Sequence, residues 1–221
     1  MDPNSEIFYQ NYVSSQELDE LLMDGWRHHG FEFFRYRTYD HEQQLHNVVP
    51  LRIRLNGFKF SKNQRRILKR NNDIKFQFRR AEISAMEENL FENHKKKFIK
   101  NPPENLYDFL TPIPGFLPCD NFECIIIKEE KMIAASFLDI AETSTSSVYA
   151  MFDLCESQRS LGILTILLEI IFSIRMKKNY YYLGYAYKEP SFYDYKKRFM
   201  NLEMFDWEGN WHPVIFDSHS N

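Results

Sequence analysis

The sequence predicts an α/β protein in which helices flank a mixed β-sheet. Three strand-like segments follow one another at residues 124–127, 131–140 and 147–153, and short polar turns separate them. A long apolar helix is predicted at 160–177, and an aromatic strand follows at 180–185. Strands that lead into a helix and then into another strand have the order of an acyltransferase-type (GNAT-like) sheet. No internal repeat is detectable, and a division into two related halves stays open.

The other elements have local signals of their own. Three helices in the first hundred residues begin at the serine N-caps Ser14, Ser61 and Ser84. Gly25 ends the first of these helices, and Pro102 with Pro103 ends the third, which we expect to extend past Phe98. The remaining predictions are strands at 31–39, 48–55 and 74–78, an irregular proline-rich segment up to 118, and a helix at 191–199.

Composition bounds the class of protein. With 221 residues, 43% of them hydrophobic and 16% aromatic, the chain can bury a substantial core. A net charge of -3 gives no overall attraction to nucleic acid, so any such attraction must be local. The longest apolar run, 161–174, is too short to span a bilayer comfortably, and no signal peptide is visible. Three cysteines cannot all pair, which indicates a reducing compartment. We therefore expect a cytoplasmic monomer with no membrane association.

Metal-binding and nucleotide-binding signatures are weak in this sequence. Cys119 and Cys124 have no second pair of ligands to complete a tetrahedral site. His41 and His46 are close in sequence but match no zinc pattern. No Walker loop, Gly-x-Ser-x-Gly segment or convincing catalytic triad occurs. We expect neither a metal ion nor a cofactor.

Residues 59–80 contain nine Lys or Arg and one acidic residue, Asp73. On a helix, Lys62, Arg65, Arg66 and Lys69 share one face. Such a stripe can follow a phosphate backbone, or it can be an ordinary solvated helix face. Charge alone leaves both interpretations open.

The turn before the apolar helix, 157–163, contains Gly162, which allows backbone N–H groups to approach a phosphate or carbonyl oxygen. It also fits the loose pattern with which acetyltransferases hold coenzyme A.

Asp153 ends the preceding strand, where a carboxylate can orient an amine or simply cap a turn. The strand at 180–185 is more aromatic than a strand requires, so one face can stack against a base or ribose.

Three groups of residues, in the same order and with similar gaps, resemble the arginyl-tRNA–protein transferase family, which includes the bacterial aspartate/glutamate leucyltransferases. The first group, FKFSKNQRRILKRNND at 58–73, resembles the family pattern Phe-x-x-Ser-x-x-Gln-Arg-Arg with its trailing Arg-Asn-x-Asp. The second comprises Phe152-Asp153 and Arg159-Ser160-Leu161-Gly162. The third comprises Tyr182-Leu183-Gly184-Tyr185, Tyr195-Lys196, Phe199, Glu203 and Gly209-Asn210-Trp211.

The resemblance implies transfer of Arg or Leu from a charged tRNA to the N-terminal amine of proteins that begin with Asp or Glu, which marks them for degradation. The implied catalytic residues are Asp153, Arg159, Tyr195 and Lys196. The implied aminoacyl-tRNA-binding residues are Ser61, Gln64, Arg65, Arg66, Arg70, Ser160, Leu161, Gly162, Tyr182, Gly184 and Tyr185. We expect residues 1–100 to carry the basic tRNA-binding helix and 101–221 to form the GNAT-like transferase domain.

The sequence also departs from the family. Its usual cysteine cluster, associated with a metal or iron–sulfur centre, is missing between Tyr36 and Val49. Leu154 and Ala186 stand where the family has Pro and Trp. The missing cysteines predict a metal-free enzyme. Ala186 in place of Trp leaves the identity of the donor amino acid open. Two alternatives also stay open: a coenzyme-A-dependent N-acetyltransferase and a non-catalytic tRNA-binding protein.

Overall fold

The computed structural model describes residues 5–41, 44–99 and 101–214. The strands are β1 (Ser5–Tyr9), β2 (Arg27–His29), β3 (Glu32–Tyr36), β4 (Thr38–His41), β5 (Gln44–Arg54), β6 (Lys75–Arg80), β7 (Asn121–Lys128), β8 (Lys131–Ile140), β9 (Ser144–Phe152), β10 (Tyr180–Tyr187), β11 (Leu202–Phe205) and β12 (Trp211–Pro213). The α-helices are α1 (Ser15–Met23), α2 (Lys62–Arg70), α3 (Ala85–His94) and α4 (Leu161–Arg175). Short 3₁₀ segments lie at Lys95–Lys97, Leu106–Asp108, Leu154–Arg159 and Phe192–Arg198.

A large mixed sheet has the strand order β12-β11-β5-β10-β9-β8-β7-β6, with β4 also paired to β5. Strands β9 and β10 run parallel, whereas β5 pairs antiparallel with both β10 and β11. The predicted mixed α/β class is therefore confirmed, and β7 to β10 with α4 have the acyltransferase-type order. Because β5 and β6 belong to the same sheet as β7 to β12, its hydrogen bonding crosses the expected division at residue 100.

Helices cover both faces of this sheet. The apolar side of α4 packs in one core cluster with Ile53, Ile126 and Tyr181. Adjacent residues of a strand point to opposite faces of the sheet, so Ile125, next to Ile126, points to the other face. There it packs in a second cluster with Phe91 of α3. A separate three-stranded sheet, in the order β1-β3-β2, packs with α1 in a third cluster that includes Tyr182 of β10.

The structure differs from three predictions. The strand predicted at 31–39 is two strands, because β3 pairs with β1 and β2 while β4 pairs with β5. Helix α3 ends at His94 instead of extending past Phe98, and the His94 ring there bonds the backbone of Phe152. The segment predicted as a helix at 191–199 is a 3₁₀ helix that begins at the cap residue Ser191. The meander, α1, α2 and α4 agree with prediction.

Candidate active site

The two parallel strands of the sheet separate after a short shared stretch. Tyr180–Tyr182 of β10 pair with Ser144–Ser146 of β9, and the paired stretch ends there. The register of β10 against β5 then shifts between Tyr182 and Gly184, which is a bulge at this point. Gly184 has φ +83, a left-handed conformation that favours glycine. The far halves of β9 and β10 therefore diverge, and we call the gap between them the splay.

Two cationic side chains meet at the splay from distant parts of the chain. Arg27 of β2 donates from Nη1 to Ser146 Oγ at 2.6 Å and from Nη2 to the carbonyl oxygen of Ser147. Lys196 of the 3₁₀ segment donates from Nζ to the carbonyl oxygen of Tyr185 at 3.0 Å. A Cβ atom on Gly184 would lie 3.5 Å from Lys196 Nζ and 3.7 Å from Arg27 Nη2. Both side chains therefore reach van der Waals distance of the strand at Gly184, and the positive φ of this residue is what favours glycine there.

Lys196 is the most perturbed base of this region. Removal from water, followed by the positive charge of Arg27, lowers its pKa to about 7. A large fraction of Lys196 is consequently neutral at physiological pH, and its nitrogen can accept a proton. A lysine with such a shift beside a specific charge partner is typical of a catalytic position.

A buried carboxyl group lies beneath the splay. Tyr181 of β10 donates its hydroxyl proton to Glu169 Oε2 of α4 at 2.5 Å. Burial raises the pKa of Glu169 to about 7, although hydroxyl groups of Ser136, Tyr181 and Ser147 favour its ionised form. Both a lysine and a glutamate that titrate near neutrality thus lie at the same part of the sheet.

Aromatic side chains line the mouth of the splay. The hydroxyl group of Tyr185 donates to the carbonyl oxygen of Gly25 at 2.7 Å, and its ring meets that of Tyr36 edge-on with centroids 5.1 Å apart. Tyr193 contacts Tyr187, and Phe192 is 84% exposed. Burial raises the pKa of Tyr195 to about 12, so its hydroxyl stays protonated at neutral pH. This wall offers flat apolar surface beside the two cations.

Other residues that match the C-terminal part of the family pattern have a structural role in the sheet. Arg52 Nε donates to Glu203 Oε2 at 2.7 Å in a buried ion pair. The guanidinium carbon of Arg52 lies 4.0 Å from the ring centroid of Tyr180 and 4.3 Å from that of Trp211. Tyr182 is 4% exposed, and Arg52 Nη1 lies 3.4 Å from its hydroxyl group. Glu203, Trp211 and Tyr182 therefore surround one arginine.

Asp153 and Arg159 lie in the turn before α4 and are already paired. Asp153 accepts from Lys131 Nζ at 2.5 Å and from the backbone N–H of Cys155 at 2.9 Å, and these bonds hold its pKa below the usual range. Arg159 forms a bidentate ion pair with Asp73, with both N···O distances 2.8 Å, and also bonds Glu156 at 2.6 Å. Asp153 is therefore a weak base, and the charge of Arg159 is compensated.

The basic helix α2 lies next to this same turn. Ser61 and Gln64 form its capping box, so both side chains also serve the helix terminus. Arg65 and Arg66 are exposed, and Arg65 Nη1 donates to the carbonyl oxygen of Phe60 at 2.5 Å. Arg70 donates to the carbonyl oxygen of Gln158. The positive surface of α2 therefore continues to the N-terminus of α4.

That N-terminus begins at Ser160, which has a left-handed φ of 56°. Ser160 O accepts hydrogen bonds from the backbone N–H groups of Ile163 and Leu164. The N–H groups of Leu161 and Gly162 precede these first helical bonds, as in any helix. Phe152 covers Gly162 so closely that a Cβ there would lie 3.2 Å from its ring.

Lys196, Gly184 and Tyr185 thus lie together at the splay, whereas Asp153, Arg159 and Ser160 to Gly162 lie at the turn with α2. Arg27 was not among the residues predicted for the site. It lies in a three-residue strand without a motif, and its partners come from β9. The local sequence marks Arg27 only by its place between Trp26 and two histidines.

The cysteine-type metal centre of the resembling family does not fit here. His46 stacks on Tyr187 with centroids 4.7 Å apart and has its Nδ1 3.9 Å from a carboxylate oxygen of Glu189. The side chain of His41 lies outside the part that the structure describes. Segment 36–49 contains no cysteine, so it cannot supply the thiolate ligands of such a centre. Within the described residues, one group of three metal-ligand side chains occurs elsewhere, at His28, Cys119 and Asp139.

In the described ranges, no helix is both long and apolar enough to cross a membrane.

A solved structure of L-PGS from Bacillus licheniformis is similar with a TM-score of 0.51 and 12% identity, covering 84% of this chain and 55% of that one. At that identity the likeness concerns the fold alone.

Known proteins and one family model match this chain. The chain is 29% identical over 204 residues to an aspartate/glutamate leucyltransferase of Campylobacter jejuni (strain RM1221), covering 88% of this chain and 83% of the relative. It is 27% identical over 207 residues to one of Pseudomonas savastanoi pv. phaseolicola (strain 1448A / Race 6), covering 92% and 83%. The family model described as "Arginine-tRNA-protein transferase, C terminus" matches residues 74–206. The chain belongs to this family and is an enzyme, an aminoacyltransferase.

Proposed function

We propose that this enzyme moves Arg or Leu from a charged tRNA to the N-terminal amine of proteins that begin with Asp or Glu, and that this addition marks them for degradation. The observation that carries the proposal is Lys196 at the splay, whose pKa is lowered to about 7 by burial and then by the charge of Arg27. The family and its leucyltransferase relatives support the substrate class.

The reaction needs a neutral amine. A protein α-ammonium group has a pKa of about 7.7–8.0, close enough for proton transfer to neutral Lys196. The freed amine attacks the ester carbonyl carbon of the aminoacyl-tRNA, and a C–N bond forms while the C–O bond to the terminal ribose breaks. Lys196 releases this first proton to solvent and takes a second proton from the nitrogen of the tetrahedral intermediate. It gives that second proton to the leaving ribose oxygen, so one proton is released overall. Holding both substrates together supplies much of the acceleration because the ester is already activated.

Arg27 has two roles in this proposal. Its charge favours the neutral form of Lys196, and its guanidinium can meet the side-chain carboxylate of an acceptor Asp or Glu. Arg159 is less available for that contact because Asp73 and Glu156 already occupy it. Asp153 is likewise less suited than Lys196 to deprotonate the amine, since its own pKa is lowered.

Arg65, Arg66 and Arg70 are proposed to hold tRNA phosphates, with Ser61 and Gln64 shaping the helix that carries them. Backbone N–H groups of Leu161 and Gly162 lie where α2 meets α4 and suit the terminal nucleotide. The N–H group of Ser160 donates to the carbonyl oxygen of Ser157 instead. Tyr185, Gly184 and Tyr195 are proposed to border the aminoacyl group, with Tyr182 supporting them through Arg52.

A transfer assay tests the function. The protein is incubated with tRNA pools charged with one amino acid at a time and with peptides that begin with Asp, Glu or Ala. We expect a mass gain of one Leu or Arg residue on the acidic peptides and none on their N-acetylated controls. Transfer from acetyl-CoA instead, or tRNA binding without product under any charging, would contradict the proposal.

Replacing Arg65 and Arg66 together by Ala should weaken tRNA binding and reduce the slope of log K against log salt by about 2, because each phosphate contact contributes about one unit. Titrations at several salt concentrations measure both. Lys96→Ala with Arg175→Ala is the matched control, since it removes two exposed charges outside α2. If log K depends on log salt with the same slope in both double variants, the α2 arginines do not contact tRNA phosphates.

A further inference from the structure

Three side chains with metal-binding atoms converge beside the splay. His28 comes from β2, Cys119 from the segment before β7, and Asp139 from β8. Their exposed fractions are 7%, 1% and 1%. None of the three takes part in the function proposed above. They lie far apart in the sequence and so form no recognisable motif.

The donor atoms already lie at the spacing of ligands around one ion. Cys119 Sγ lies 3.9 Å from His28 Nε2 and 3.5 Å from Asp139 Oδ1. His28 Nε2 lies 3.0 Å from Asp139 Oδ2. Ligands at about 2.0–2.3 Å from a tetrahedral ion are themselves roughly 3.3–3.8 Å apart, so small movements would make room for one.

Further contacts orient the donors. His28 Nδ1 lies 3.0 Å from the carbonyl oxygen of Gly30, a bond that directs Nε2 towards Cys119 and Asp139. Asn121 Nδ2 donates to Asp139 Oδ1 at 2.8 Å and fixes the carboxylate. A ligating histidine whose other nitrogen bonds a carbonyl oxygen, and a ligating carboxylate held by a hydrogen bond, are usual around protein metal ions.

We propose that His28 Nε2, Cys119 Sγ and the carboxylate of Asp139 bind one Zn²⁺ ion. A thiolate, an imidazole and a carboxylate together favour zinc over magnesium or calcium. The ion would bridge β2 of the small sheet to β8 of the large sheet. It would hold β2 at His28, next to Arg27, whose side chain reaches the splay. Its role would therefore be to position Arg27.

The cluster is buried and polar. Both ring nitrogens of His28 face acceptor oxygens, and Cys119 Sγ lies against Asp139. Zn²⁺ binds a thiolate and an imidazole nitrogen that carries no proton, so metal binding at such a site releases protons.

The test uses the full chain without a histidine tag. Zinc is measured by mass spectrometry after dialysis, and the zinc-free protein is titrated with Co²⁺ while thiolate-to-cobalt absorption is recorded. We expect about one zinc ion per chain and a charge-transfer band that saturates at about one cobalt ion. Cys119→Ala should lose the band, whereas Cys155→Ser, which changes an exposed thiol, should keep it.

Zinc X-ray absorption of the unaltered protein provides a reading that needs no variant to fold. We expect one sulfur at about 2.3 Å among nitrogen and oxygen ligands at about 2.0–2.1 Å. Absence of bound metal from both the purified and the titrated protein would overturn the proposal, as would metal without a sulfur ligand. In that case the cluster is a hydrogen-bonded His–Asp pair with a buried thiol.

Discussion

Replacing Lys196 by Met is expected to lower the single-turnover rate of aminoacyl transfer by about 10²- to 10⁴-fold, the usual contribution of a general base. Methionine keeps much of the side-chain volume at the splay but cannot accept a proton. Lys196→Arg should be similarly impaired, because an arginine beside Arg27 stays charged. Rates are measured with the acceptor peptide saturating, so that weaker binding does not obscure the chemical step.

Lys197→Met is the matched control for this variant. Lys197 lies on the same 3₁₀ segment, but its Nζ pairs with Asp194 at 2.7 Å, and the rate should stay within about 3-fold of the wild type. Full activity of Lys196→Arg would show that a positive charge at this position suffices, and would exclude Lys196 as the base.

Arg52→Met is expected to have a large effect on stability. It removes the buried partner that lies 2.7 Å from the Glu203 carboxylate, which is about 10% exposed. It also removes a cation held between Tyr180 and Trp211. Breaking a buried ion pair from one side costs about 3–5 kcal/mol. In a chain of this size that lowers Tm by about 10 °C. Urea unfolding followed by tryptophan fluorescence measures the change.

Arg54→Met is the control here, because Arg54 faces the same carboxylate at 3.8 Å but has a side chain that is 56% exposed. Its loss should change the free energy of unfolding by no more than about 1 kcal/mol. If Arg52→Met were as stable as Arg54→Met, the buried pair would not hold β5 to β11 as we describe.

Local signals predicted much of the fold. The capping boxes at Ser14 and Ser61 and the apolar periodicity of α4 act within one helix, and the structure has these helices where expected. Strands β11 and β12 were missed because they have four and three residues and depend on pairing with β5 and with each other. Short edge strands of this kind carry little pattern of their own.

The site was less predictable than the fold. Family resemblance pointed to Lys196 and Gly184, but the lowered pKa of Lys196 depends on its burial and on Arg27 from the other end of the chain. Likewise, the ion pairs of Asp153 and Arg159 form only after Lys131 and Asp73 are brought to them by folding. Charges that meet through tertiary structure leave no periodicity in the sequence.

In the proposed mechanism, transfer occurs at the splay with Lys196 as the base, and burial together with the charge of Arg27 keeps Lys196 neutral. The most direct test is the pH dependence of single-turnover transfer for the wild type and for Arg27→Met. The neutral form of Lys196 is the active one, so the wild-type rate should rise with pH through about 7. Removing the neighbouring positive charge raises the pKa of Lys196. The rising limb of Arg27→Met should therefore move to higher pH, with activity largely recovered in alkaline solution. A limb at the same pH in both proteins would mean that Lys196 is not the base or that Arg27 does not affect its protonation.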